Sequence, residues 1–100
     1  MKLSAMVFDR LSDNAMGEHS IEIYGSAYHF AREVEQDKFS IANLVDFIFS
    51  AINSAKFYEP TLKPSTVARK FCHLVLVDYT LVECFLGIKL TELDHMKRSG

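Results

Sequence analysis

Phe71-Cys72-His73-Leu74-Val75-Leu76-Val77-Asp78-Tyr79-Thr80-Leu81-Val82-Glu83-Cys84-Phe85-Leu86 is the stretch whose reading decides the fold. Advanced by about 100° per residue, it extends a helix that starts at Ser65 or Thr66, just after Pro64. Gly87 then supplies a C-terminal stop. Thr66, Arg69, Lys70, His73, Thr80 and Glu83 form a polar stripe on that helix, and Asp78 alone projects to the opposite, apolar side. Read at a period of two, Leu74-Val75-Leu76-Val77 is an apolar run with β-branched members, which suits a strand. The first reading gives an all-α fold, a small bundle of about four helices. The second gives an α+β domain with a small sheet from residues 3–8 and 72–86.

Two segments upstream favour the bundle. From Ser20 to Gln36, the residues Ile21, Ile23, Tyr24, Ala27, Tyr28, Phe30, Ala31 and Val34 fall on one half of a helical wheel. Glu22, Gly25, Ser26, His29, Glu33 and Gln36 fill the other half, and Ser20 is placed to cap. From Ile41 to Phe57, capped by Ser40, one narrow stripe of Asn43, Asp46, Ser50, Asn53 and Ser54 interrupts an otherwise apolar surface. A helix apolar over so wide an arc is central in a bundle. Pro60 and Pro64 make the following segment a loop. Leu3 to Leu11 suits neither period well. Thr91-Glu92-Leu93-Asp94 resembles a capping box, ahead of a short helix over Glu92 to Lys97.

One hundred residues are expected to form a single domain, 1–100. A hydrophobic share of 49% against 24% charged excludes disorder and leaves apolar surface for a second subunit or partner. The net charge of −2 carries no basic excess that would advertise nucleic acid. The opening run Met1 to Phe8 is too short for a signal peptide. Asp78, Thr80 and Glu83 interrupt the longest apolar stretch, so no membrane span is expected, and the simplest setting is the cytoplasm. Cys72 and Cys84 read as buried thiols, separated by roughly 18 Å if they share one helix.

The chemistry-bearing residues are few. Glu92-x-x-His95 is a single copy of a spacing that metal-binding bundles use in pairs, so no metal or other cofactor is expected. Cys72 and His73 are neighbours that diverge on a helix. The four glycines are far apart, and no nucleophile motif is present, so the chain reads as non-catalytic. Asp78 amid Leu74, Val75, Leu81, Val82 and Phe85 is expected to accept hydrogen bonds in the core or to mark a face that meets another chain. Phe57, on the polar side of its helix, and Tyr58, at the start of the loop beside Pro60, suit an anchor for a partner protein or fold back beneath that loop. Glu22 and Glu33, with Glu18, Glu35 and Asp37, form an acidic face suited to a basic target.

In size and in its lack of catalytic motifs, the chain resembles immunity proteins of bacterial toxins, antitoxins and phage-encoded inhibitors. That resemblance implies a module that binds another protein and occludes its surface. Two alternatives remain open. Ser65, Thr66, Arg69 and Lys70 stand where a recognition helix of a DNA-binding regulator would begin, although Pro60 and the long connection depart from that motif. The apolar surplus around Asp78 also suits a self-associating subunit, with a homodimer as its simplest form.

Overall fold

The computed structural model describes residues 2–13 and 20–96, with backbone only for residues 11–13, 20 and 21. Its order is α1 (Leu3–Asp13), α2 (Ser20–Glu35), α3 (Ile41–Tyr58), α4 (Pro64–Leu74), α5 (Tyr79–Leu86) and a 3-10 helix (Leu90–His95). The fold is all-α, and no strand occurs among the described residues. The sheet alternative therefore falls. Leu3 to Leu11 is helical, and the last element is a 3-10 helix that starts at Leu90, two residues before the expected Glu92.

The long helix expected from Ser65 to Leu86 is two helices. Val77 N–H reaches the Cys72 carbonyl at 2.9 Å and Leu76 N–H reaches the His73 carbonyl at 3.3 Å. These two bonds close a Schellman motif on α4. Leu76 lies at its left-handed position, with φ of 61°. Asp78 then starts α5: its Oδ1 accepts from the Thr80 N–H at 3.0 Å. A helix N-terminus offers unpaired N–H donors, and a short carboxylate is among the best side chains to meet them. Asp78 is thus an exposed cap, and the core position expected for it is wrong. The Thr80 hydrogen bonds outweigh burial and hold its carboxyl below the ordinary range.

The core is built around Phe30 of α2, which is fully buried. Its ring lies 5.7 Å from Phe47 of α3, 5.9 Å from Phe71 of α4 and 6.0 Å from Phe39 of the α2–α3 link. Leu44, Ile48 and Ala51 of α3 and Val67, Ala68 and Leu74 of α4 complete this cluster. Its wide apolar arc places α3 against both α2 and α4, and α1 packs on α2. The α5 helix packs most lightly, with Val82 its one fully buried side chain.

Two long-range caps hold the ends of the chain to this centre. Ser4 N–H near the start of α1 donates to Glu35 Oε2 at 2.9 Å, and the hydrogen bonds of the Ser4 side chain and then its backbone lower the Glu35 pKa. At α4, Lys63 provides no side-chain cap, and Pro64 supplies the fixed φ of a first helical position. The cap comes instead from the 3-10 helix. Ser65 N–H donates to Asp94 Oδ1 at 2.8 Å, and Ser65 Oγ donates to Asp94 Oδ2 at 2.6 Å. The 3-10 helix is itself started by Glu92, whose Oε2 accepts from Lys89 N–H at 2.7 Å. The box expected between Thr91 and Asp94 is therefore displaced, because Asp94 is engaged at Ser65.

Burial pushes the Asp94 carboxyl up, but the Ser65 hydrogen bonds with Lys63 and His95 bring the net below its ordinary value of 3.8. A folded-state pKa below the unfolded one gives stability that is present above the ordinary value and lost as pH falls through the folded one. Asp94→Ala is expected to destabilise the fold by about 1–2 kcal/mol near neutral pH. Denaturant titrations at descending pH should show that gap closing below about pH 4. A gap that persists unchanged in acid excludes the ionised carboxylate as the cap.

Candidate interaction surface

Among the described residues no three or more His, Cys, Asp or Glu side chains are grouped to hold a metal ion. Glu92 of the Glu92-x-x-His95 spacing is bonded to the Lys89 amide. No helix among the described residues is long and apolar enough to cross a membrane. Among the described residues, Phe8, Phe39, Phe49 and Met96 are exposed, and further exposed apolar side chains form two groups, one of them beside a cationic hollow.

The first place is the end of α3. Phe57 is 79% exposed and Tyr58 is 62% exposed. Their rings lie edge to face with centroids 5.1 Å apart, so each limits the other's rotamers. Neither folds back beneath the loop. A cavity of about 430 Å³ opens alongside, lined in part by Lys56, Pro60, Leu62, Lys63 and His95. Lys56 precedes the aromatic pair directly, and Pro60 follows it by two residues. The hollow's one carboxylate, Asp94, is already engaged by Ser65.

The second place is the outward side of α5 and the corner before it. Val82 and Leu86 face inward, and the half-buried Glu83 carboxylate accepts from Leu90 N–H at 2.8 Å. Thr80, Leu81, Cys84 and Phe85 are left to solvent. That side, where an amphipathic helix normally carries its charges, bears none. Leu76 at the corner is also exposed.

The acidic face expected on α2 is largely turned inward. Glu33 is half-buried, and its Oε1 accepts from Asn43 Nδ2 at 3.4 Å. Glu35 holds Ser4, and Glu22 is half-buried. Asp37 is exposed, at the left-handed position that ends α2, and Glu18 lies outside the described residues. Packing of α1 and α3 against α2 turns these carboxylates toward other helices. The basic helix start is altered as well. Ser65 is buried with both its donors on Asp94. Thr66 and Arg69 are exposed and Lys70 is half-buried. A carboxylate standing where a phosphate would meet the helix N-terminus works against that use. No known family matches the chain, and no curated protein or solved structure is significantly similar to it.

The thiols differ, which corrects the reading of both as buried. The break at Leu76–Asp78 puts them on separate helices, with Cys72 buried and Cys84 exposed. Burial, and then the Asp78 charge, pushes the Cys72 thiol up to about 11. A maleimide at neutral pH is expected to modify Cys84 within the native protein and Cys72 only after denaturation. Equal rates at the two sites in native buffer contradict the packing of Cys72.

Leu76 supplies a further expectation. Three helices end on a left-handed residue: Asp37, Leu76 and Gly87. Glycine adopts that conformation freely and Asp tolerates it, whereas a Leu there carries a cost of about 1–2 kcal/mol. Leu76→Gly should raise monomer stability by up to about 1 kcal/mol, after the entropy of the unfolded glycine is subtracted. A lower melting temperature for the glycine variant would show that Leu76 earns its place through packing inside the monomer.

Proposed function

We propose that this protein is a non-catalytic binding module that occludes a partner protein through the Phe57–Tyr58 pair and the cationic hollow beside it. The observation that carries the reading is the exposure of two adjacent aromatic rings, 79% and 62%, on the last turn of a long, well-packed helix. Aromatic side chains on a rigid support are the usual energetic anchors of interfaces, because they bring large area at little entropic cost. Lys56 and Lys63 flank them, and with Asp94 as its one carboxylate the lining of the hollow keeps a net positive charge that suits an acidic partner. The partner chemistry that fits is therefore an apolar ridge with acidic residues beside it. This differs from the basic target suited to an acidic face, because Glu33 and Glu35 are engaged within the fold and Glu22 is half-buried.

Occlusion requires no moving part and no reactive group. A helix end held by the Phe30 cluster presents its rings in a fixed place, so little ordering cost falls on binding. The test is quantitative co-purification from the native host with the wild-type chain, Phe57→Ala and Tyr58→Ala. Both side chains lie outside the core, so melting temperatures should change little. A partner retained by wild type is expected to be weakened at least about tenfold by either substitution. Raised salt should weaken binding further through Lys56 and Lys63. Retention of the same partner by both variants at wild-type strength refutes this surface as the contact.

A further inference from the structure

We infer that the outward side of α5, with Leu76 at the preceding corner, is the contact between two copies of this chain. Apart from Thr80 and Glu83 the α5 sequence is apolar or aromatic, yet the helix lies at the surface with Val82 its one fully buried residue. Leu76, Tyr79, Leu81 and Phe85 are between 40% and 57% exposed. A helix of this kind is normally covered. Among the described residues, nothing in the packing of α3, α4 or the 3-10 helix covers this side.

Three observations select a second copy as the cover. First, the outward residues Leu76, Tyr79, Thr80, Leu81, Cys84 and Phe85 bear no charged side chain, and the charges of Asp78, Lys89 and Glu92 stand at the edge of this side. A two-fold contact sets each group against its own copy or a near neighbour, so charged faces repel and a neutral apolar face does not. Second, Leu81 and Phe85 are four residues apart and lie on one stripe, which an antiparallel copy meets with the same stripe reversed. Third, the exposed parts of Leu76, Tyr79, Thr80, Leu81, Cys84 and Phe85 come to on the order of 500 Å² per copy. Two copies that cover all of it remove at most roughly 1,000 Å², which is the size of a weak, transient contact. A contact of that size is reversible and depends on concentration.

The strained Leu76 fits the same account. A glycine would relax the turn, but it would take an apolar side chain from the rim of this face. Backbone strain kept at an exposed hydrophobic corner is what a contact residue would require.

Light scattering coupled to size exclusion, run from micromolar to millimolar protein, tests the inference. The expected mass rises with concentration toward twice the 11.4 kDa of the chain. Leu81→Asp should leave helicity unchanged and weaken the dimer by at least tenfold in its dissociation constant, about one such charge per copy being buried against its twin. If Leu81→Asp loses helicity, Phe85→Ser is read in its place. A wild-type chain that remains a monomer at millimolar concentration overturns the inference, as does a dimer that withstands both substitutions. A monomer whose α5 side instead retains a different protein also overturns it. None of these outcomes touches the Phe57–Tyr58 contact, which its own variants test.

Discussion

A carboxylate in an apolar run must find donors or water, and Asp78 finds both by ending one helix and starting another. Much of the molecule follows from that. Continued straight, α4 would have carried Asp78 to the apolar side of the helix, where an unpaired charge is costly. The break sends α5 off at the end of α4 and gives the carboxylate the Thr80 amide. It also separates the two cysteines and turns Leu81, Cys84 and Phe85 outward. The apolar surface of α5 is therefore a consequence of how one charge is accommodated.

The rest of the fold divides into a firm centre and a light edge. Phe30 joins α2, α3 and α4 through its ring contacts with Phe47 and Phe71, and both it and Phe71 are fully buried. Removing the Phe30 or Phe71 ring would open a cavity with little room to collapse. By contrast, α5 leans on α3 and α4 and contributes Val82 alone to the deepest core. Elements of low local stability tend to be the ones that proteins commit to contacts with others. The proposed heterologous anchor is different, because it grows from the end of α3, which carries six buried side chains. One surface is rigid and the other is loosely held, and the two proposed contacts divide accordingly.

Helices α2 and α3 were legible in the sequence to within a residue at each end. Each had a cap residue followed by a clean partition of polar and apolar positions, and Ser40 does accept from Asn43 N–H at 3.1 Å. The segment after Pro64 was misread because a wheel assumes an unbroken helix. The sign of the break was Asp78 itself, a strong capping residue where none was needed in mid-helix. Leu76 gave no sign, since Gly or Asn is what marks a left-handed position. The acidic residues of α2 looked solvated because nothing local shows that Ser4 and Asn43 lie against Glu35 and Glu33. At the candidate surface, the exposure of Phe57 was legible from its place on the polar side of its wheel. The cationic hollow was not, because His95 comes to it from an element distant in sequence.

The cap on α4 has a consequence for how the chain is made. Ser65 and Asp94 are 29 residues apart, and synthesis proceeds from one to the other. At about 5–20 residues per second, α4 leaves the point of synthesis roughly 1.5–6 s before its partner exists. During that interval its N-terminus has Pro64 and no capping side chain, while α2 and α3 are already made. The nascent chain can gather the Phe30 cluster first, but α4 is secured only once the 3-10 helix has followed. Folding order is thus written into the direction of translation, with the last described element acting as the clasp on a helix made well before it.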